Sequence, residues 1–289
     1  MAFPNAFLMG KLVQEYFVRM NDIYPLLHRP TFEYGISIGL HLKDEGFGST
    51  VLLVCALGSR FVDDEGVLPQ GIKSWHWAGW HWFQHVNSSR RFVHTFAPRV
   101  YDLQICFLFA MFVANSPVPH AIYSVIGHGL RLATDMGAHR RIAYGARPTI
   151  EDELKKRALW CLFVNDRSMC DKFGRPYNID DEDLEVGLPA ECDDEYWIVD
   201  GQDVAFAHPP GTQSKIAAFN CMIRFSRIHA EGFRTLYDST IPIRSNCIPT
   251  PNAHRVVSEL DPKLNEFIDS IPEYLRWCPH RNNSVFTNQ

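Results

Sequence analysis

The spacing of apolar positions predicts helices along nearly the whole chain and no strand pairing. Phe7, Leu8, Leu12, Tyr16 and Phe17 recur near one face of a first helix that Asn5 can cap and that ends before Tyr24-Pro25. Pro30 and Thr31 open a second helix. After Gly46 and Gly48, Ser49 or Thr50 caps a largely apolar helix over 51–62, expected to be buried. Residues 63–66 read as a polar loop, and 75–96 as an aromatic-dense helix with Pro98 beyond its end. Asp102 caps a helix over 103–113 that is apolar all round, and 115–119 is a loop. Over 120–136, Ile122, Val125, Ile126, Gly129 and Leu132 share a face, and Gly137 sits where a closing glycine is expected.

The next helix opens on Pro148-Thr149, where Thr149 and Asp152 have the spacing of a capping box. Its inner face is Leu154, Ala158, Cys161, Leu162, Asn165 and Met169. From Tyr177 to Ser214 there is no Lys or Arg, while Asp, Glu and Pro abound, so this stretch reads as an irregular surface excursion. Ser214 caps a helix to about residue 237, a proline-containing loop covers 240–251, and a last helix carries Val257, Leu260, Leu264, Phe267 and Ile271 before stopping at Pro272. A polar tail follows Trp277. The pattern therefore predicts an all-α fold of roughly eight to ten helices with a long irregular acidic segment, in one domain over 1–289.

Composition adds a compartment and removes some functions. With 46% apolar and 21% charged residues in 289, a sizeable core is affordable. A net charge of −5 argues against direct DNA contact by this chain, because DNA binders are usually basic. The eight cysteines are scattered without a CxxC pair, mostly among apolar residues, which suits reduced, buried thiols in an intracellular protein. The first ten residues lack a basic, signal-like region, and the longest apolar run, 105–114, is too short for a bilayer, so no membrane role is expected.

Candidate chemistry is sparse. His81 and His85 lie one helical turn apart with His76 nearby, but no further ligand follows at zinc spacing, so no metal is expected. The acidic runs 180–183 and 193–195 invite a magnesium site of the kind an all-α terpene cyclase uses, the alternative enzyme reading. Against it, Asn165-Asp166 is followed by Ser168 one place early, and Asp180 to Asp183 lie in a loop setting. With no GxSxG and no phosphate-binding glycine loop, no catalytic residue is assigned. Asp166 and Arg167 end an apolar helix, where charges are costly unless paired. Arg167 and Arg175 are thus expected to pair with Asp166, Asp180 or Asp183 and pin the acidic excursion, with Arg131 and Asp135 pairing at i, i+4 elsewhere. Gly127 and Gly129 suit a close helix approach. An apolar pocket for a small ligand is expected around Trp75, Trp80, Phe83 and Phe109.

The order of these features resembles a known family. Arg131-Leu132-Ala133, Asp135, Gly137 and His139 are followed by Trp160, Asp166-Arg167, Gly174-Arg175-Pro176, the run 179–183 and Leu188-Pro189. Upstream stand Tyr16-Phe17 and 24–32; downstream, Ile271-Pro272 and Leu275-Arg276-Trp277. This succession is similar to the fungal-specific transcription factor domain, the middle homology region of binuclear zinc cluster regulators. The resemblance implies a regulatory domain of a nuclear protein that modulates RNA polymerase II transcription. Its partners would be co-regulators or the transcription machinery, in some members a small-molecule signal, and a second copy in a homodimer. A protein-interaction scaffold is the third reading. The family's DNA-binding module is a basic six-cysteine zinc cluster, and nothing in this chain resembles it. DNA contact and zinc are therefore expected only through an upstream module, with this chain a fragment of the whole and without a cofactor of its own.

Overall fold

In the computed structural model, which describes residues 3–86, 97–114, 116, 120–201, 203–236 and 251–277, Asn5 opens α1 (Ala6–Tyr16) by accepting the Leu8 amide at 2.9 Å. Pro30 sits in the first turn of α2 (Arg29–Ser37), where its missing N–H costs nothing. α3 (Glu45–Gly58) starts earlier than Ser49 or Thr50, because Asp44 accepts the Phe47 amide at 2.9 Å. The Ser49 and Thr50 hydroxyls instead donate to the carbonyls of Glu45 and Gly46, one turn back inside the helix.

The aromatic stretch departs most from its pattern. Instead of one helix there is a turn at Trp75–Trp77 and a short α4 (Trp80–His85). Gly79 lies between them at φ +74°, and a side chain there would collide with the Ala56 backbone of α3. Residues 87–96 of the predicted helix lie outside the described residues, as do most of the 115–119 loop, all but the last residue of the 240–251 loop and the tail after Trp277. α5 (Val100–Ala114) begins before Asp102, whose carboxylate accepts the Arg99 amide at 2.8 Å from within the first turn. α6 (Ala121–Asp135) is closed by Gly137 at φ +69°, and α7 (Ile150–Phe173) by Gly174 at φ +61°.

Strand pairing does occur. Trp197–Asp200 (β1) and Asp203–Phe206 (β2) form an antiparallel hairpin with Trp197 opposite Phe206. Four alternating residues per strand were too few to stand out, though the alternation is there: Trp197 is buried and Ile198 exposed. α8 (Ile216–Leu236) and α9 (Pro251–Ser270) complete nine α-helices among the described residues, so the fold is all-α apart from this hairpin. No helix among them is long and apolar enough to cross a membrane.

The chain divides into two compact units, Met1–Ser226 and Arg227–Gln289. In the first, α5 is buried almost all round and packs against α3, α6 and α7, while α1 packs on α3. Gly129 permits the approach of α6: a Cβ there would sit 2.9 Å from both Cys106 of α5 and Leu162 of α7. Trp160, Phe163, Phe107 and Phe112 fill the interior, and Cys55, Cys106, Cys161, Cys170 and Cys192 are buried and in no disulfide. In the second unit, Gly232 lies against Leu260 and Lys263 pairs with Glu231 at 2.6 Å.

Candidate functional site

The site is organised by α7. Thr149 accepts the Asp152 amide at 3.0 Å, as a capping residue should. Four charged side chains of this helix are almost wholly buried: Glu153, Arg157, Asp166 and Arg167. Each is engaged by the acidic segment that follows the helix, although the Nε of Arg157 and of Arg167 is left without a hydrogen bond among the described residues. Arg167 donates to the Ile179 carbonyl at 2.8 Å and pairs with Asp166 at 3.4 Å and Asp181 at 3.3 Å. Asp166 accepts the Asn178 amide at 2.9 Å and its side-chain N–H at 2.6 Å. Burial raises the Asp166 carboxyl above its ordinary pKa, and the Asn178 bonds, Arg167 and Cys170 offset part of that rise. Trp160 donates to the Gly187 carbonyl at 3.0 Å, Glu153 accepts the Ala190 amide at 2.8 Å, and Arg157 pairs with Asp194 at 2.7 Å. Residues 178–194 are thereby laid along α7.

The expected clamp therefore exists, with different members. Arg175 pairs with no carboxylate among the described residues; its guanidinium lies 4.8 Å from the Tyr123 ring centre, because the left-handed turn at Gly174 sends the chain toward α6. Pro176 next to it offers its carbonyl to the Tyr123 hydroxyl at 3.2 Å. Arg131 and Asp135 are exposed and form no ion pair with each other. Glu153 and Arg157, which matter more, carry no sequence signal beyond their position: four residues apart, on the same face as Trp160 and Arg167.

Asp194 joins this clamp to a cavity. One carboxylate oxygen meets Arg157; the other accepts the Arg29 amide at 2.8 Å, at the positive end of α2. Its carbonyl lies 3.0 Å from His28 Nε2, so Nε2 carries the proton, since a carbonyl only accepts. His28 also stacks on Trp197, centres 4.2 Å apart and planes 15° apart, and Arg157 lies 4.6 Å from the same indole. Burial lowers the His28 pKa below its ordinary value.

Behind His28 opens a cavity of about 460 Å³. Leu27, Phe32, Phe47, Tyr101, Ile150 and Leu154 supply its apolar wall, and Gly201 at the hairpin turn also reaches it. Gln104 of α5 lines it too, almost wholly buried, and no described residue hydrogen-bonds its side chain. Of the aromatic residues expected to form a pocket, Trp80, Phe83 and Phe109 do something else. Phe83 packs directly on Phe109 and Phe112, at 4.6 and 4.4 Å, and Trp80 lies 5.3 Å from Phe83, so these rings fill space among themselves. Trp75 is half exposed and lines a separate surface hollow of about 400 Å³ with Leu68 and Ile72. His81 rests on Trp82 at 4.1 Å, and the described residues hold no group of three or more His, Cys, Asp or Glu placed for a metal.

The chain matches the model of the fungal-specific transcription factor domain over residues 13–269. It belongs to that family. The domain is 24% identical over 268 residues to an ABC-transporter-regulating transcription factor of Aspergillus oryzae, covering 90% of this chain and 28% of that protein. It is 27% identical over 133 residues to pyrimidine pathway regulatory protein 1 of Saccharomyces cerevisiae, covering 45% of this chain and 15% of that protein. A third relative, the positive regulator of purine utilization of Emericella nidulans, is 25% identical over 124 residues, 33% of this chain and 12% of that protein. The chain thus spans less than a third of the length of each. No zinc cluster domain is detected in it, and no solved structure matches it. Among the family-motif residues, Trp160, Asp166 and Arg167 form the clamp and Gly137 and Gly174 end helices.

Proposed function

We propose that this domain is the ligand-responsive part of a nuclear regulator of RNA polymerase II transcription, and that a small, largely apolar molecule occupies the cavity between α2, α5 and α7. The carrying observation is the cavity itself: about 460 Å³, walled by apolar side chains of α2, α3, α5 and α7. A ligand that favours one arrangement of the three helices shifts the population toward it and alters the surface offered to co-regulators. DNA contact then belongs to a separate basic module, consistent with the net charge of −5 here. Regulation rather than catalysis is favoured because two of the acidic residues that suggested magnesium are engaged structurally, Asp181 with Arg167 and Asp194 with Arg157.

Thermal-shift measurements on the purified domain against uncharged aromatic and alicyclic metabolites test this. A hit at 100-fold its Kd stabilises by about 2.7 kcal/mol. The shift is expected to shrink in Leu154→Phe, which adds volume to the wall. No hit, or equal shifts in both proteins, would falsify the pocket.

A further inference from the structure

Gln104 stands out in the cavity because the Arg99, His28 and Thr149 side chains beside it are already engaged. It belongs to an apolar helix, is 2% exposed and lines the void, yet no described residue hydrogen-bonds its carboxamide. The Arg99 guanidinium is turned to Asp44 by bonds of 2.7 and 3.3 Å. His28 uses Nε2 on the Asp194 carbonyl and has Nδ1 3.1 Å from the Thr31 hydroxyl. The Thr149 hydroxyl is engaged with Asp152 at 2.8 Å. Glu151 is exposed. The carboxamide faces the cavity rather than sealed protein, so a ligand edge can pair with it by displacing water.

Resting on the pocket reading above, we infer that the ligand is an uncharged, flat ring carrying a cyclic amide edge, an N–H beside a C=O, which pairs with the carboxamide of Gln104. A carboxamide presents an acceptor and a donor side by side in one plane. A lactam or a related cyclic amide satisfies both at once, since its ring holds N–H and C=O cis to each other. An alcohol satisfies one at a time. A carboxylic acid has the right shape but ionises at neutral pH, and the nearby guanidinium is already neutralised by Asp44. The ring is flat because Phe32, Phe47 and Tyr101 form the wall, with Phe47 5.4 and 5.8 Å from the other two, and ring faces and edges pack best on a planar guest.

The test compares 2-quinolone with quinoline, which matches it in shape but lacks the amide edge, by calorimetric titration of the full chain and of Gln104→Leu. The wild type is expected to bind 2-quinolone about tenfold tighter than quinoline. In Gln104→Leu that ratio should fall to about one while quinoline binds at least as well. Equal binding of the two probes by the wild type overturns the amide edge and leaves the pocket standing. Binding of neither, by wild type or variant, overturns the pocket for ligands of this class and this inference with it. Should Gln104→Leu not fold, Gln104→Met serves in its place, and the wild-type ratio decides alone.

Discussion

Arg157 shows how one residue can hold distant segments together. Its guanidinium is fully buried, is paired with Asp194 and lies over Trp197, and Asp194 in turn holds the first amide of α2. Removing Arg157 leaves Asp194, whose side chain is only 19% exposed, without its counter-charge. Arg157→Leu is therefore expected to cost about 3 kcal/mol in urea unfolding. Asp194→Asn added to it should restore part of that loss, because the stranded charge disappears. His28 carries a pH dependence of definite sign. Burial is the main cause of its lowered pKa, followed by the opposing pull of Asp194 and the repulsion of Arg157. The unfolded chain thus takes up a proton near pH 6.5 while the folded one takes it up only at lower pH. Stability should fall as pH drops below about 6.5 and level off below the folded value, and the fall should be smaller in His28→Asn. Neither role is legible in the residues alone. A histidine before Arg-Pro and an arginine in a helix look alike whether exposed or buried.

At the scale of elements, caps and stops were readable and partners were not. Asn5, Thr149, Gly137 and Gly174 act locally, within a few residues of the backbone groups they satisfy, so their roles follow from sequence order. The aromatic helix failed because Trp, His and Phe at almost every position leave no periodicity to interrupt, and the break comes from Gly79 pressing on α3. The clamp was half legible. That buried charge at Asp166-Arg167 needed a partner was a sound argument, but choosing Arg175 over Arg157 required knowing where the chain goes after Gly174. The clamp's membership can be checked by amide exchange. Arg167→Met should speed exchange at Asn178 and through the segment to Ala190, and Arg175→Glu should leave that segment unchanged. Loss of protection on altering Arg175 would mean that the clamp is assigned to the wrong arginine.

For the whole molecule, the cavity trades stability for binding. A chain under pressure only to be stable would close the void or place a leucine at Gln104. Gln104→Leu is accordingly expected to raise the melting temperature of the ligand-free protein, by an amount near 1 kcal/mol in stability. A lowered melting temperature would indicate that the carboxamide is already satisfied. The helical class, the helix ends at Asn5, Thr149, Gly137 and Gly174, and the family follow from the sequence by itself. They rest on local periodicity, on capping chemistry within one turn and on motifs that keep their order along the chain. The tertiary structure alone decided where the void lies and which charges meet. Those outcomes depend on contacts such as Glu153 with Ala190, 37 residues apart, and Asp194 with Arg29, 165 apart. Over such separations a residue's type limits which partners it could take, and only the packing of α2, α5 and α7 selects one.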